Sequence, residues 1–212
     1  MTLSLPERGG ATRLVLLRHA ETDESMRGRC YGSLDVPLSA AGLRHAAALG
    51  LALRELGAAA VYASPLVRAL DTARAIASAQ RLEPVVRPEL RELDFGELEG
   101  LAYDEIAAER PELYRFWMEE PVGVRFPGGE SLADLRKRVL PVLAEIRSRH
   151  AGRTAVVVAH GGVVRVALAD VLGIPDPAFF RLDQPPGAVS VIDWLGDTPL
   201  VRVVNADLYS PA

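Results

Sequence analysis

Two histidine-bearing stretches stand out in a chain with only four histidines. Arg18-His19 directly follows the apolar run Leu14-Val15-Leu16-Leu17. His160-Gly161-Gly162 directly follows Thr154–Ala159, which reads TAVVVA. A third stretch, Ser64-Pro65-Leu66-Val67-Arg68, follows the short run from Ala59 to Ala63. Short apolar runs bounded by turn signals read as strands buried on both faces. In open α/β sheets, ligands bind beyond the carboxyl ends of such strands. Three strand ends therefore offer two His and two Arg to one sheet edge. Arginine forks match phosphate oxygens, so the set describes an anion site with phosphate as the first choice. Gly161 and Gly162 let a ligand approach the backbone, and a helix starting there supplies free N–H groups and a positive dipole end. Each stretch alone is ordinary, because a lone His or Arg is usually structural or solvated. The set gains weight only if these strands are neighbours, which spacing does not dictate.

The elements that must position these residues alternate between short apolar runs and helical stretches. Ser39 can cap a helix to about Leu56, with Gly57 as its stop. Pro65 sits at the first turn of a helix to about Gln80. Val85-Val86 is a weak strand. Residues 100–127 differ in texture, with Tyr103, Tyr114, Phe116, Trp117 and Phe126 broken up by Pro111, Pro121 and Pro127. They predict one or two short helices and a loop, forming a cap over the sheet. Ser131 opens a long helix to about Arg149, and Pro141 inside it predicts a kink or a break. Gly161 to about Leu172 is a helix stopped by Gly173. Val189–Trp194 and Leu200–Val204 predict a hairpin around Gly196-Asp197. The fold class expected is α/β: three layers, α/β/α, with a mostly parallel central sheet, helices on both faces and a small helical cap insertion. Residues 1–12 read as a flexible lead-in, and 13–212 as a single domain with its cap at about 100–130.

The 212 residues suffice for a sizeable core, and 49% hydrophobic with 25% charged residues excludes global disorder. The net charge of −4 argues against nucleic acid as a partner. All basic residues but Lys137 are arginine. A single cysteine, Cys30, excludes a disulfide within the chain and a cysteine-based zinc site. It reads as a small packing residue. No signal peptide and no membrane-length apolar run is visible, so a cytoplasmic protein with no membrane partner is expected. His45 and His150 lie on predicted helices and read as surface residues. Glu92 stands in an acidic run with Glu89, Asp94, Glu97 and Glu99, so charge pattern alone leaves it a solvated side chain. Glu130 and Ser131 can simply start a helix. Phe116 and Trp117 could be cap core or pocket lining.

The stretch Arg18-His19-Ala20-Glu21-Thr22 resembles the RHGxT motif of the histidine phosphatase superfamily, the phosphoglycerate mutase-like proteins. The resemblance continues through Gly28-Arg29-Cys30-Tyr31-Gly32-Ser33-Leu34-Asp35-Val36-Pro37-Leu38-Ser39, Ala63–Ala69, Arg91–Gly100, Pro127-Gly128-Gly129-Glu130-Ser131 and Val158–Gly162. Six blocks stand in family order, over roughly residues 13–195. The resemblance implies that His19 is the nucleophile that becomes phosphohistidine. It must be neutral, with one ring nitrogen donating to a backbone acceptor. Arg18, Arg68 and His160 are implied as the phosphate clamp, with His160 cationic. Glu92 is implied as the general acid, then the base for water, with a raised pKa. No metal and no cofactor are implied. Ala20 stands where the family has Gly. Ser25 replaces an Asn and is carried as a phosphate contact. Thr22, Arg29, Tyr31, Gly32 and Gly161 are carried as the substrate rim.

Within that family, the Arg29–Gly32 and Asp35–Leu38 stretches, the Asp94–Gly96 block and Pro-Gly-Gly-Glu-Ser are most similar to α-ribazole phosphatases and broad-specificity phosphatases. The resemblance implies a hydrolase acting on a small phosphorylated metabolite. Phosphoglycerate mutases carry a Tyr where Phe95 stands and a pair of cap arginines; Arg110, Arg115 and Arg125 are too scattered to make such a pair. A cofactor-dependent mutase and a noncatalytic phospho-ligand-binding module stay open as alternatives, and so does a homodimer.

Overall fold

In the computed structural model, which describes residue 3 and residues 5–209, six strands form one sheet. They are β1 (Thr12–Arg18), β2 (Ala60–Ala63), β3 (Pro84–Val86), β4 (Thr154–Ala159), β5 (Val189–Leu195) and β6 (Thr198–Ala206). Their spatial order is β3-β2-β4-β1-β5-β6. The pairs β2/β3, β2/β4 and β1/β4 are parallel, and β5 runs antiparallel to both β1 and β6. The expected mostly parallel sheet is present, closed on one side by the expected β5–β6 hairpin.

The central strands β1 and β4 are buried along nearly their whole length, as a strand covered on both faces must be. Alternate residues sort to opposite faces. Leu14, Leu16, Ala155 and Val157 join a core with α5 (Leu132–Arg149) and α6 (Gly161–Leu172). Val15, Leu17, Val156 and Val158 join a second core with α1 (Ala40–Ala52) and α2 (Val67–Ala79). These are the three layers.

The cap consists of α3 (Tyr103–Glu109) and α4 (Pro111–Glu119). Trp117 is 3% exposed and meets Phe95, Tyr114 and Phe126 at ring-centroid distances of 5.4, 6.2 and 5.0 Å. Phe116 is on the exposed side of α4.

Several local expectations are corrected. α1 ends at Ala52 rather than near Leu56. α5 runs unbroken through Pro141, because its apolar face, Leu135 through Ile146, is anchored in the core on both sides of the proline. His150 is not a surface residue: it is buried, and its Nε2 lies 2.9 Å from the Tyr62 hydroxyl. His45 is half-buried and stacks on Tyr209 at 4.5 Å. Of the lead-in, residues 1, 2 and 4 lie outside the described residues. Leu3 and Leu5 pack against the second core, and Arg13 donates to the Pro6 carbonyl at 3.0 Å. β1 already starts at Thr12.

Candidate active site

The sheet order explains how distant residues meet. β4 lies between β1 and β2, so the three strand ends carrying Arg18-His19, His160 and Ser64 are direct neighbours. Arg18 is in register with Ala159, and the His19 N–H donates to the Ala159 carbonyl at 2.9 Å. The Ser64 N–H donates to the Val158 carbonyl at 3.1 Å. A cavity of about 180 Å³ opens there, lined on one side by Arg18, His19, Arg68 and Glu92. Phe95, Tyr103, Trp117, Phe179 and Phe180 line it on the cap side.

His19 is 2% exposed. Burial, then the Arg18 and Arg68 charges, hold its pKa well below the ordinary histidine value. Its Nδ1 lies 2.7 Å from the Ala20 carbonyl oxygen. A carbonyl can only accept, so Nδ1 carries the proton and Nε2 keeps its lone pair. This is the tautomer a nitrogen nucleophile needs.

Arg68 is fully buried on the first turn of α2. Its Nη1 and Nη2 donate to the Leu34 and Gly32 carbonyls, each at 2.6 Å. Its guanidinium lies over the Tyr31 ring at 5.0 Å. The Val67 N–H is bonded to Asp35 at 2.7 Å. The Gly32–Asp35 segment is thus the mould that fixes Arg68. Gly32 itself has no room for a side chain, since a Cβ would fall 2.0 Å from the Leu93 carbonyl oxygen. Arg18 donates through Nη1 to the Gln184 carbonyl and, more weakly, through Nη2 to the Tyr31 hydroxyl at 3.5 Å. Among the described residues, the buried Nε atoms of both Arg18 and Arg68 have no partner.

Glu92 holds its place through two backbone donors. The Leu93 N–H bonds Oε1 at 2.9 Å and the Gly162 N–H bonds Oε2 at 3.0 Å. The acidic side chain therefore reaches the amino end of α6 rather than solvent, against the charge-pattern reading. A Cβ at Gly162 would lie 2.3 Å from Oε1 and displace the carboxylate from this position.

His160 differs from expectation in one respect. It is fully buried and does not line the cavity. Its Nε2 is 2.7 Å from Ser64 Oγ, and its ring meets His19 at 5.2 Å. Burial, then Arg68, His19 and Arg18, lower its pKa well below the ordinary histidine value. Ser25 is not brought to the cavity either. Its hydroxyl donates to Asp23 at 2.6 Å on an exposed turn. Thr22 lines an adjoining depression that shares Arg18, Arg29, Tyr31 and Tyr103 with the cavity. Arg29, Tyr31, Gly32 and Gly161 do line the cavity. Cys30 is fully buried, and desolvation pushes its thiol up to about 12.

Sequence reasoning missed three residues. Ser64 holds His160 and could have been suspected from its place in the strand-end block. Arg138, on α5, donates to the carbonyls of Glu89, Arg91 and Glu92 at 2.6 to 2.8 Å and pairs with Glu130 at 2.7 Å. Arg165, on α6, lines the cavity. Nothing in the pattern set either arginine apart from the others. Among the described residues no group of three His, Cys, Asp or Glu side chains could hold a metal ion, and no helix is long and apolar enough to cross a membrane.

This arrangement, a buried histidine beside Arg18 and the buried Arg68 with the Glu92 carboxylate in the same cavity, sits on a chain that belongs to the histidine phosphatase superfamily, branch 1, whose family model matches residues 14–207. The chain is 38% identical over 180 residues to phosphoserine phosphatase 1 of Hydrogenobacter thermophilus, covering 85% of each protein. It is also 38% identical over 204 residues to a bifunctional protein of Mycobacterium tuberculosis; the match covers 95% of this chain but 56% of that longer protein. The crystal structure of the α-ribazole phosphatase from Shigella flexneri superposes with a TM-score of 0.82 at 29% identity, covering 92% of this chain and 96% of the other.

Proposed function

We propose that this protein is a metal-independent phosphomonoesterase that hydrolyses small phosphorylated metabolites through a phosphohistidine. The observation that carries the reading is the pair of buried guanidinium N–H groups, Arg18 Nε and Arg68 Nε, left without partners beside a His19 whose Nδ1 is already committed. Buried donors without partners are costly, and a phosphoryl group answers both. In the first step the His19 Nε2 lone pair forms a bond to phosphorus as the ester P–O bond breaks, and Glu92 gives its proton to the leaving oxygen. In the second step water attacks phosphorus, Glu92 takes a proton from it, and the P–N bond breaks to release phosphate and neutral His19. Arg18 and Arg68 supply fixed positive charge to the transferring group throughout. His160, neutral and hydrogen-bonded to Ser64, supports the His19 ring edge to face.

This reading includes a single catalytic domain over residues 13–212 with its cap near 100–130, a cytoplasmic location, and a homodimer as one assembly open to it. Among substrates it includes α-ribazole 5′-phosphate and O-phosphoserine, after the relatives that bear those names. The test is phosphate release from p-nitrophenyl phosphate and a phosphomonoester panel with EDTA present, for wild type and His19→Ala. EDTA-resistant release that vanishes in the variant is expected. Release that survives in His19→Ala removes the nucleophile. No release, but isomerisation of 3-phosphoglycerate that depends on added bisphosphoglycerate, replaces the hydrolase with a mutase. Phosphate binding without either activity leaves a binding module.

A further inference from the structure

Arg165 lies on the face of α6 that the proposed site uses. It follows Gly161 and Gly162 at four and three residues, the spacing that puts helical residues on one face. That places it about 6 Å along the helix axis from Gly161. Its Nε donates to the Leu182 carbonyl at 2.8 Å, and its guanidinium lies 5.5 Å from the centroids of both Phe179 and Phe180. The group is therefore clamped in place. Among the described residues, its one hydrogen bond is that made by Nε, which leaves both Nη atoms without a chain partner and the group without a carboxylate. Burial lowers its pKa, while the Glu92 charge opposes that and the Arg18 charge adds to it, so Arg165 stands within electrostatic reach of both.

The cavity's other arginines are accounted for. Arg29 is committed to the Gly100 carbonyl at 2.7 Å and to Glu105 at 3.3 Å. Arg18 and Arg68 flank His19. When Glu92 carries the proton it is to donate, Arg18, Arg68 and Arg165 are the cavity cations without a carboxylate partner. A phosphate dianion balances two of those charges. One positive charge is left, on a planar fork with both outer nitrogens free, and a carboxylate is the monoanion of matching shape. The geometry points to Arg165 as a specificity-determining residue that takes a substrate carboxylate, and hence to small phosphomonoesters bearing a carboxylate a few bonds from the ester oxygen as the substrate class. This rests on the phosphomonoesterase reading for its phosphate end.

The experiment separates the two. Binding of 4-phosphonobutyrate and of 4-hydroxybutylphosphonate, which neither hydrolyses, is measured by calorimetry on wild type, Arg165→Met and Arg165→Lys. The pair shares the phosphonate and differs only in the carboxylate. Wild type should favour the carboxylate member by roughly tenfold to a hundredfold, the value of a charge-assisted pair. The ratio should fall to near one in Arg165→Met and lie between in Arg165→Lys. Reading a ratio within each protein cancels any general loss of binding. A wild-type ratio near one overturns the proposal even if both variants fail to fold, and so does a ratio unchanged in Arg165→Met. In parallel, kcat/KM for 3-phosphoglycerate against glycerol 3-phosphate should show the same preference. Loss of hydrolysis of every ester with the binding ratio intact would sink the phosphatase reading while leaving the carboxylate site standing.

Discussion

Arg138 Nη2 donates to the Glu92 carbonyl oxygen at 2.8 Å while the same guanidinium pairs with Glu130 at 2.7 Å. One side chain thus ties the backbone of the proposed acid to α5 and to the Pro-Gly-Gly-Glu-Ser segment. Glu130 closes the frame by accepting from the Asp94 N–H at 3.2 Å.

Arg138→Ala leaves three carbonyls and the half-buried Glu130 without their donor. The Glu92 loop should lose its fixed position, costing about 2 to 4 kcal/mol of stability. For alkyl phosphates, which need a proton on the leaving oxygen, kcat/KM should drop more than for p-nitrophenyl phosphate. Melting curves and a leaving-group series measure both. An unchanged series would show that Arg138 acts on the fold alone.

Glu92→Gln keeps the size of the side chain, but its single amide oxygen can accept only one of the two backbone N–H bonds, and it cannot deliver a proton. Poor leaving groups should slow by about 10²- to 10⁴-fold, and good ones less. Equal slowing across the series counts against Glu92 as the acid. Gly162→Ala should act in the same direction, because its Cβ would press into Oε1 and move the carboxylate while leaving α6 intact.

Of the buried histidines, His19 and His160 are pushed well below the ordinary value, His150 in the same direction, and together they set a pH signature. These folded-state pKa values lie below 6.5, so the unfolded chain binds protons that the native state refuses. Stability should therefore be at its plateau above pH 6.5 and fall as pH drops below it. Each histidine contributes up to about 1.4 kcal/mol per pH unit until its own folded pKa is reached. Urea midpoints from pH 8 to pH 5 give the slope, and the slope should shrink in Ser64→Ala only if the His160 contact matters. Since His19 is neutral across the same range, the acid limb of kcat/KM should lie well below pH 6.5. A limb centred at 6.5 would show a solvent-like His19.

Cys30 should resist modification. Its thiol is fully buried and pushed up to about 12. Iodoacetamide at pH 8 should leave the native protein unlabelled and label it after unfolding. Mass spectrometry reads both states; labelling of the folded protein would contradict this burial.

The sequence made the strand ends legible because each carries a period change, from a short buried run to a helix start. Arg18, His19, Arg68 and His160 were all visible in this way. Their convergence was not, since nothing in β1, β2 or β4 states that β4 lies between the other two. The state of His160 was also hidden, because it depends on burial and on Ser64, Arg68 and His19 arriving from other elements. Ser25 was overread: an Asp two residues earlier gives its hydroxyl a local partner. Pro141 was read as a helix breaker, but α5 is held by tertiary contacts on both sides of it. Arg138 and Arg165 were invisible among so many arginines because their roles lie in carbonyls and rings far away in the chain.

The pairing of β1 with β4 sets an order on biosynthesis. His19 emerges well before His160, and the backbone bond from His19 to Ala159 must wait for the long stretch of chain between them. Such a long loop closes slowly compared with local helices. A nascent or truncated chain can thus carry the nucleophile without a pocket to use it in, and hydrolytic competence arrives as one of the last events of folding.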